Sequence, residues 1–172
     1  MYINRLLAMN YFELFQIPVQ LHVDKADVKR KFFELSRKSH PDYFVNASEE
    51  DQAESLESSA MLNHALKVFS NPDATIAYVL ELKGLLEEHE KYTLDPEFLL
   101  EMMDLNEAFA ESGPESDPAE KVRLAGLLEE AEEAIRKPVE NILSQYLDGV
   151  TTTEDLLQVK DYYFKKKYLY TK

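Results

Sequence analysis

The chain of 172 residues has no cysteine, which excludes disulfides, thiolate zinc sites and the usual thiolate ligation of an iron–sulfur cluster. Glycine is also scarce, with four in the whole chain, and none of them forms a phosphate-cradling glycine loop. No window approaches the roughly 20 apolar residues that a membrane-spanning helix needs. Positive charge is in short supply: 19 Lys and Arg face 33 Asp and Glu, for a net charge of −14. Such a field repels a phosphate backbone, so a nucleic-acid partner is not expected. His22, His64 and His89 lack a partner histidine at metal spacing, and Glu87-Glu88-His89-Glu90 reads as a solvated turn. No metal, no cofactor and no membrane contact is expected. Strand alternation and internal repeats are missing too, which leaves an all-α chain.

Against these absences stands the tripeptide His40-Pro41-Asp42. In a chain of this length it arises by chance roughly one time in a hundred at average residue usage, so its flanks must decide what it means. Asn10 and Glu13 have the spacing of a capping box, Tyr11, Leu14 and Phe15 give a short apolar stripe, and Pro18 ends that helix. Asp24 caps a longer helix whose Val28, Phe32 and Leu35 fall at i, i+4 and i+7. Lys29, Arg30, Arg37 and Lys38 stand elsewhere on this rod, and Lys25 to Lys38 holds six basic and two acidic side chains, a local +4. A basic face within an acidic protein fits an acidic partner surface; by itself it also fits a solvated helix face. Pro41 disfavours helix at His40, so the chain must turn there as a polar loop. Ser48 and Asp51 begin the next helix, with Leu62, Ala65, Leu66 and Phe69 as its stripe and Asn71-Pro72 as its stop. Two antiparallel helices joined by an exposed loop follow. The segment from Ala74 to Leu82 adds a short helix packed back on them.

The second half is the acidic one. Residues 1–83 hold nine basic and twelve acidic side chains, while residues 84–172 hold ten and twenty-one. Gly84 to Thr93 reads as a linker, after which Asp95 caps a helix with Pro96 at its first position. Ser112-Gly113-Pro114 breaks that helix, Asp117-Pro118 starts the next, and Pro138 kinks or divides it. Gly149 and Thr151 to Glu154 mark the final turn and cap, and a last helix carries Leu156, Val159, Tyr163, Phe164 and Tyr170. Three antiparallel helices of this kind make a bundle. In the first of them Phe98, Met102 and Leu105 compete with Leu99, Leu100 and Met103 for the core. A Leu and Met stripe is more often bundle core than docking surface, and only the excess of apolar positions leaves room for the second. The tail Tyr162 to Tyr168 interleaves aromatic and basic residues as single-strand grooves do, but lysines at a helix end also complement its dipole.

The helical hairpin around His40-Pro41-Asp42 resembles the J domain, the module by which co-chaperones stimulate the ATPase of DnaK-type chaperones. The likeness covers about Asn10 to Leu82 and follows the family pattern of Val28, Phe32, Leu35 and the tripeptide. Tyr43 stands where the family commonly has lysine, so a charge contact from that position is not carried over. Met9 to Phe15 and the run Phe98 to Glu107 are similar to HscB-type co-chaperones, which serve iron–sulfur cluster assembly. The resemblance implies a J domain over 10–83, a linker over 84–93 and a client-binding bundle over 94–172, with Met1 to Ala8 as an extension. It further implies that His40, Pro41, Asp42, Lys29 and Arg30 meet a DnaK-type, HscA-like chaperone. Leu99, Leu100, Met103, Asp104, Glu107 and Phe164 would meet an IscU-like scaffold protein. Asn106 replaces a frequent family arginine, so no salt bridge is transferred to it. The expected role is that of a cytoplasmic adaptor with no catalytic residue, since a loop tip between helices offers no convergent pocket for His40 and Asp42. A J-domain co-chaperone with a different client is the alternative.

Overall fold

The computed structural model describes residues 9–112 and 117–170. The expected extension Met1 to Ala8 and the Gly113-Pro114 break lie outside the described residues. Every regular element among the described residues is helical. The helices are α1 (Tyr11–Leu14), α2 (Lys25–Ser39), α3 (Glu49–Ser70), α4 (Pro72–Leu82), α5 (Pro96–Glu111), α6 (Pro118–Arg136), α7 (Glu140–Gln145) and α8 (Thr153–Tyr170), with 3-10 turns at Pro41–Phe44 and Lys137–Val139. The described residues form two compact units, the first built from residues 9–82 together with Tyr146–Val150, the second from residues 83–112, 117–145 and 151–170.

In the first unit α3 is the spine, and α1, α2 and α4 pack against it. Its core gathers Phe12, Phe15, Val28, Leu62, Ala65, Phe69, Ile76, Val79 and Leu80. Phe69 meets Phe12 and Phe15 at 4.9 and 5.4 Å between ring centres. The capping box at α1 forms as its spacing predicts, with Asn10 and Glu13 each accepting from the other's amide. Asp24 and Ser48 cap α2 and α3. Asn71 does more than stop α3: its side chain accepts the amides of Asp73 and Ala74 and so opens α4. One residue thereby serves both helix ends across Pro72, its side chain at the start of α4 and its backbone amide, which donates to the Val68 carbonyl, at the end of α3.

In the second unit α6 pairs with both α5 and α8. Phe98, Met102, Leu105 and Leu169 form a buried cluster, with Leu99, Leu127, Leu128, Ile135 and Tyr168 packed around it. Asp95 and Asp117 cap α5 and α6, each with proline at the first helical position. Pro138 divides the long helix, as its missing amide requires, and a 3-10 turn separates α6 from α7. Thr152 caps α8 by accepting the amide of Asp155. The stretch expected as a linker is tied to α8, through Glu90 to Lys160 and Tyr92 to Asp161.

Candidate functional site: the His-Pro-Asp turn and the exposed face of α5

The His-Pro-Asp loop is a tight 3-10 turn. His40 ends α2 with φ −67° and ψ 128°, the extended backbone that a following proline imposes. Its carbonyl accepts the Tyr43 amide at 3.0 Å and its Nδ1 accepts the Asp42 amide at 3.3 Å. The Asp42 carboxylate lies 3.5 Å from the same nitrogen, and the side chains are about half exposed at His40 and 85% exposed at Asp42. Because Tyr43 turns its amide to His40, the Ser39 carbonyl loses the partner a continuing helix would give it. Two hydroxyls of α3 replace that partner: Ser55 donates at 2.8 Å and Ser59 at 3.0 Å. Gln52 then closes the far side by donating to the carbonyls of Val45 and Ala47. The turn is therefore gripped from α3 at both ends.

Around it the surface is apolar as well as charged. Tyr43, Val45 and Leu56 are all about two-thirds exposed or more, and Pro41, Val45 and Leu56 help line an open depression of about 480 Å³. Lys29, Arg30, Arg37 and Lys38 are exposed along α2, next to the half-exposed Phe33. Arg30 bonds Asp27 and Glu34 on its own helix, and the bond to Asp27 is the main reason its guanidinium pKa is raised. Lys31 is turned to the Gln16 carbonyl, 2.8 Å away.

The structure separates the two stripes of α5. Phe98, Met102 and Leu105 are buried, whereas Leu100 and Met103 are 64% and 60% exposed, with Asp104 and Glu107 exposed beside them. Leu99 differs from its neighbours, being half-buried and packed on the core cluster. Phe164 is half-buried on α8 and lies flat against Tyr92. Asn106 donates to the Tyr168 hydroxyl at 2.9 Å, which fixes α5 to α8 without a charge. Sequence reasoning missed Ser55, Ser59 and Tyr92. The two serines answer a carbonyl 16 and 20 residues away, a relation that spacing along α3 does not announce, and Tyr92 carried no signal within a segment read as linker.

Among the described residues no three His, Cys, Asp or Glu side chains are grouped to hold a metal ion, and no helix is long and apolar enough to cross a membrane. A helical hairpin with an exposed, hydrogen-bonded turn, joined to a second helical unit with an exposed apolar face, defines a two-part all-α protein. Residues 94–171 match the family model described as the HSCB C-terminal oligomerisation domain. A co-chaperone protein HscB homolog of Shewanella pealeana is 36% identical over 163 residues, covering 94% of this chain and 91% of the relative. The crystal structure of human co-chaperone protein HscB superposes with a TM-score of 0.78 at 25% identity, over 95% of this chain and 78% of that one. Chaperone HscB from Vibrio cholerae gives 0.69 at 28% identity, over 95% and 92%. The chain belongs to the HscB family of co-chaperones.

Proposed function

We propose that this protein is a cytoplasmic adaptor that stimulates ATP hydrolysis by a DnaK-type, HscA-like chaperone and delivers to it an IscU-like iron–sulfur scaffold protein. The observation that carries the reading is the His40-Pro41-Asp42 turn, which is exposed yet held rigid by Ser55, Ser59 and Gln52. A turn already fixed in one conformation loses little conformational freedom on docking, which favours affinity. Exposed lysines and arginines on α2 supply attraction over distance, and Pro41, Val45 and Leu56 supply apolar contact close in. His40 and Asp42 offer hydrogen-bonding groups at the tip.

The second unit takes the client, through helices within the stretch that matches the family model from residue 94 on. Leu100 and Met103 form an apolar centre, Asp104 and Glu107 a carboxylate rim, and this is the anatomy of a protein contact. Leu99 and Phe164, both half-buried, contribute smaller areas. With no cysteine in the chain, the adaptor holds no cluster by thiolates and acts through protein contacts.

The test is His40→Gln. The side chain is exposed and no core contact depends on it, so the variant should fold and bind the scaffold protein as before while stimulation of the chaperone's ATPase disappears. Full stimulation by the variant would overturn the assignment of the turn. Retained stimulation of the wild type with no scaffold binding would leave a J-domain co-chaperone for another client.

A further inference from the structure

The segment leading into α5 is clasped to α8 by three contacts from one side of that helix. Lys160 pairs with Glu90, Asp161 accepts the Tyr92 hydroxyl at 2.9 Å, and Phe164 lies under the Tyr92 ring. Their spacing of i, i+1 and i+4 puts all three on adjoining positions of the helix. The two rings are 4.3 Å apart between centres and parallel to within 2°. The Lys160 ammonium stands 5.8 Å from the centre of the Tyr92 ring, within reach of its π face. Both rings remain partly exposed.

This arrangement changes what Phe164 can offer a partner. One of its faces is covered by Tyr92, so a protein arriving at Phe164 must also meet the edge or outer face of Tyr92. The Tyr92 hydroxyl is engaged by Asp161, Phe164 covers one face of the ring and the Lys160 ammonium stands over it, so the apolar contact area it offers is the part these leave uncovered. Large, stiff aromatic surface of this kind is what interface anchors are made of. A connecting segment has no need of a stacked ring, a hydrogen bond and an ion pair within three residues, but a binding surface that must be preformed does.

We propose that Tyr92 belongs to the client-docking surface, forming with Phe164 a single two-ring platform that receives an apolar side chain of the scaffold protein. This rests on the reading that the second unit binds the scaffold through Phe164 and the exposed face of α5. Lys160, Asp161 and Glu90 are positioning residues that hold the segment in place.

The experiment measures the affinity of the full chain for the scaffold protein, with circular dichroism to confirm that each variant is folded. Tyr92→Ala and Phe164→Ala should each weaken binding about tenfold, as interface anchors do. The double variant should be little weaker than either single one, because side chains that act as a unit are not additive. Tyr92→Phe keeps the ring and should stay within about twofold of wild type, and Tyr92→Leu, which keeps apolar bulk in case the alanine variant unfolds, should be weakened like the alanine variant. The ring resonances of Tyr92 should also shift when the scaffold protein is added. Loss on Phe164→Ala with none on Tyr92→Ala and no shift of the ring would overturn the platform and leave the client reading standing. Full additivity in the double variant would overturn the single unit. No effect from either alanine variant would overturn the platform together with the assignment of Phe164 to the surface.

Discussion

The Ser39 carbonyl shows how a single proline decides the shape of the turn. That carbonyl is deprived of a helical partner because Pro41 pulls His40 out of helix, and an unpaired, part-buried carbonyl costs more than an ordinary hydrogen bond gains. Ser55, which is 3% exposed, and Ser59 both answer that carbonyl. Either hydroxyl alone can satisfy it. Replacing one by alanine should therefore cost only about 0.5–1.5 kcal/mol, whereas the Ser55→Ala, Ser59→Ala double variant should cost about 1–3 kcal/mol through the orphaned group. Urea unfolding followed by circular dichroism reads this, and a double variant as stable as wild type would show that water satisfies the carbonyl instead. The same double variant should lower chaperone stimulation while scaffold binding holds, since the turn loses its grip but the second unit is untouched. At this scale the sequence was only partly legible. His40, Pro41 and Asp42 declare themselves by type and order, but the serines act across 16 and 20 residues of chain, a relation that periodicity does not encode.

Helix α5 shows the same division between pattern and packing one level up. Its caps, its proline start and its two competing stripes could be read from residue order, because each depends on neighbours within a turn or two. Which stripe faces inward depends on α6 and α8, and spacing cannot report on helices it does not contain. Leu99 is the instructive residue: it belongs with Leu100 and Met103 by spacing, yet it packs on the cluster of Phe98, Met102 and Leu105. Gln16 and His89 were illegible for another reason, since they take left-handed φ of 53° and 60° without a glycine to announce it. The face separation predicts a stability difference. Leu100→Ala with Met103→Ala should change unfolding free energy by about 0.5 kcal/mol or less, Leu99→Ala should cost about 1–3, and Phe98→Ala about 3–5. Thermal melts of the three variants would test this order, and a collapse of the first would mean that the exposed face is core. The segment bound to α8 adds a dependence on pH. Burial first, and then the bond to Asp161, raise the Tyr92 phenol from an ordinary value near 10 to about 12. A raised folded pKa gives stability that is fully present below pH about 10 and is lost as pH rises toward about 12. The wild type should therefore lose midpoint temperature across that window faster than Tyr92→Phe, and equal losses would place the alkaline transition elsewhere.

Charge acts on the whole molecule. The net −14 should slow approach to any acidic partner, and the local +4 between Lys25 and Lys38 is the exception built into that background. The exception is smaller in effect than in count. Arg30 is already answered by Asp27 and Glu34, and Lys31 is drawn to the Gln16 carbonyl, so the exposed Lys29, Arg37 and Lys38 carry much of the outward field. Exposed charges of this kind govern encounter more than residence, because at a distance they steer and at contact they stay hydrated. Reversing Lys29 and Arg30 to Glu should thus lower the association rate with the chaperone about tenfold at low salt and change the dissociation rate far less. The wild-type rate should also fall as salt rises, since the Debye length shrinks from about 30 Å at 0.01 M to about 8 Å at 0.15 M. Above that range wild type and variant should converge. Stopped-flow association at several salt concentrations measures both slopes. If the reversal instead speeds dissociation, and the wild-type association rate is flat with salt, then the basic side chains act as close contacts and the steering account fails.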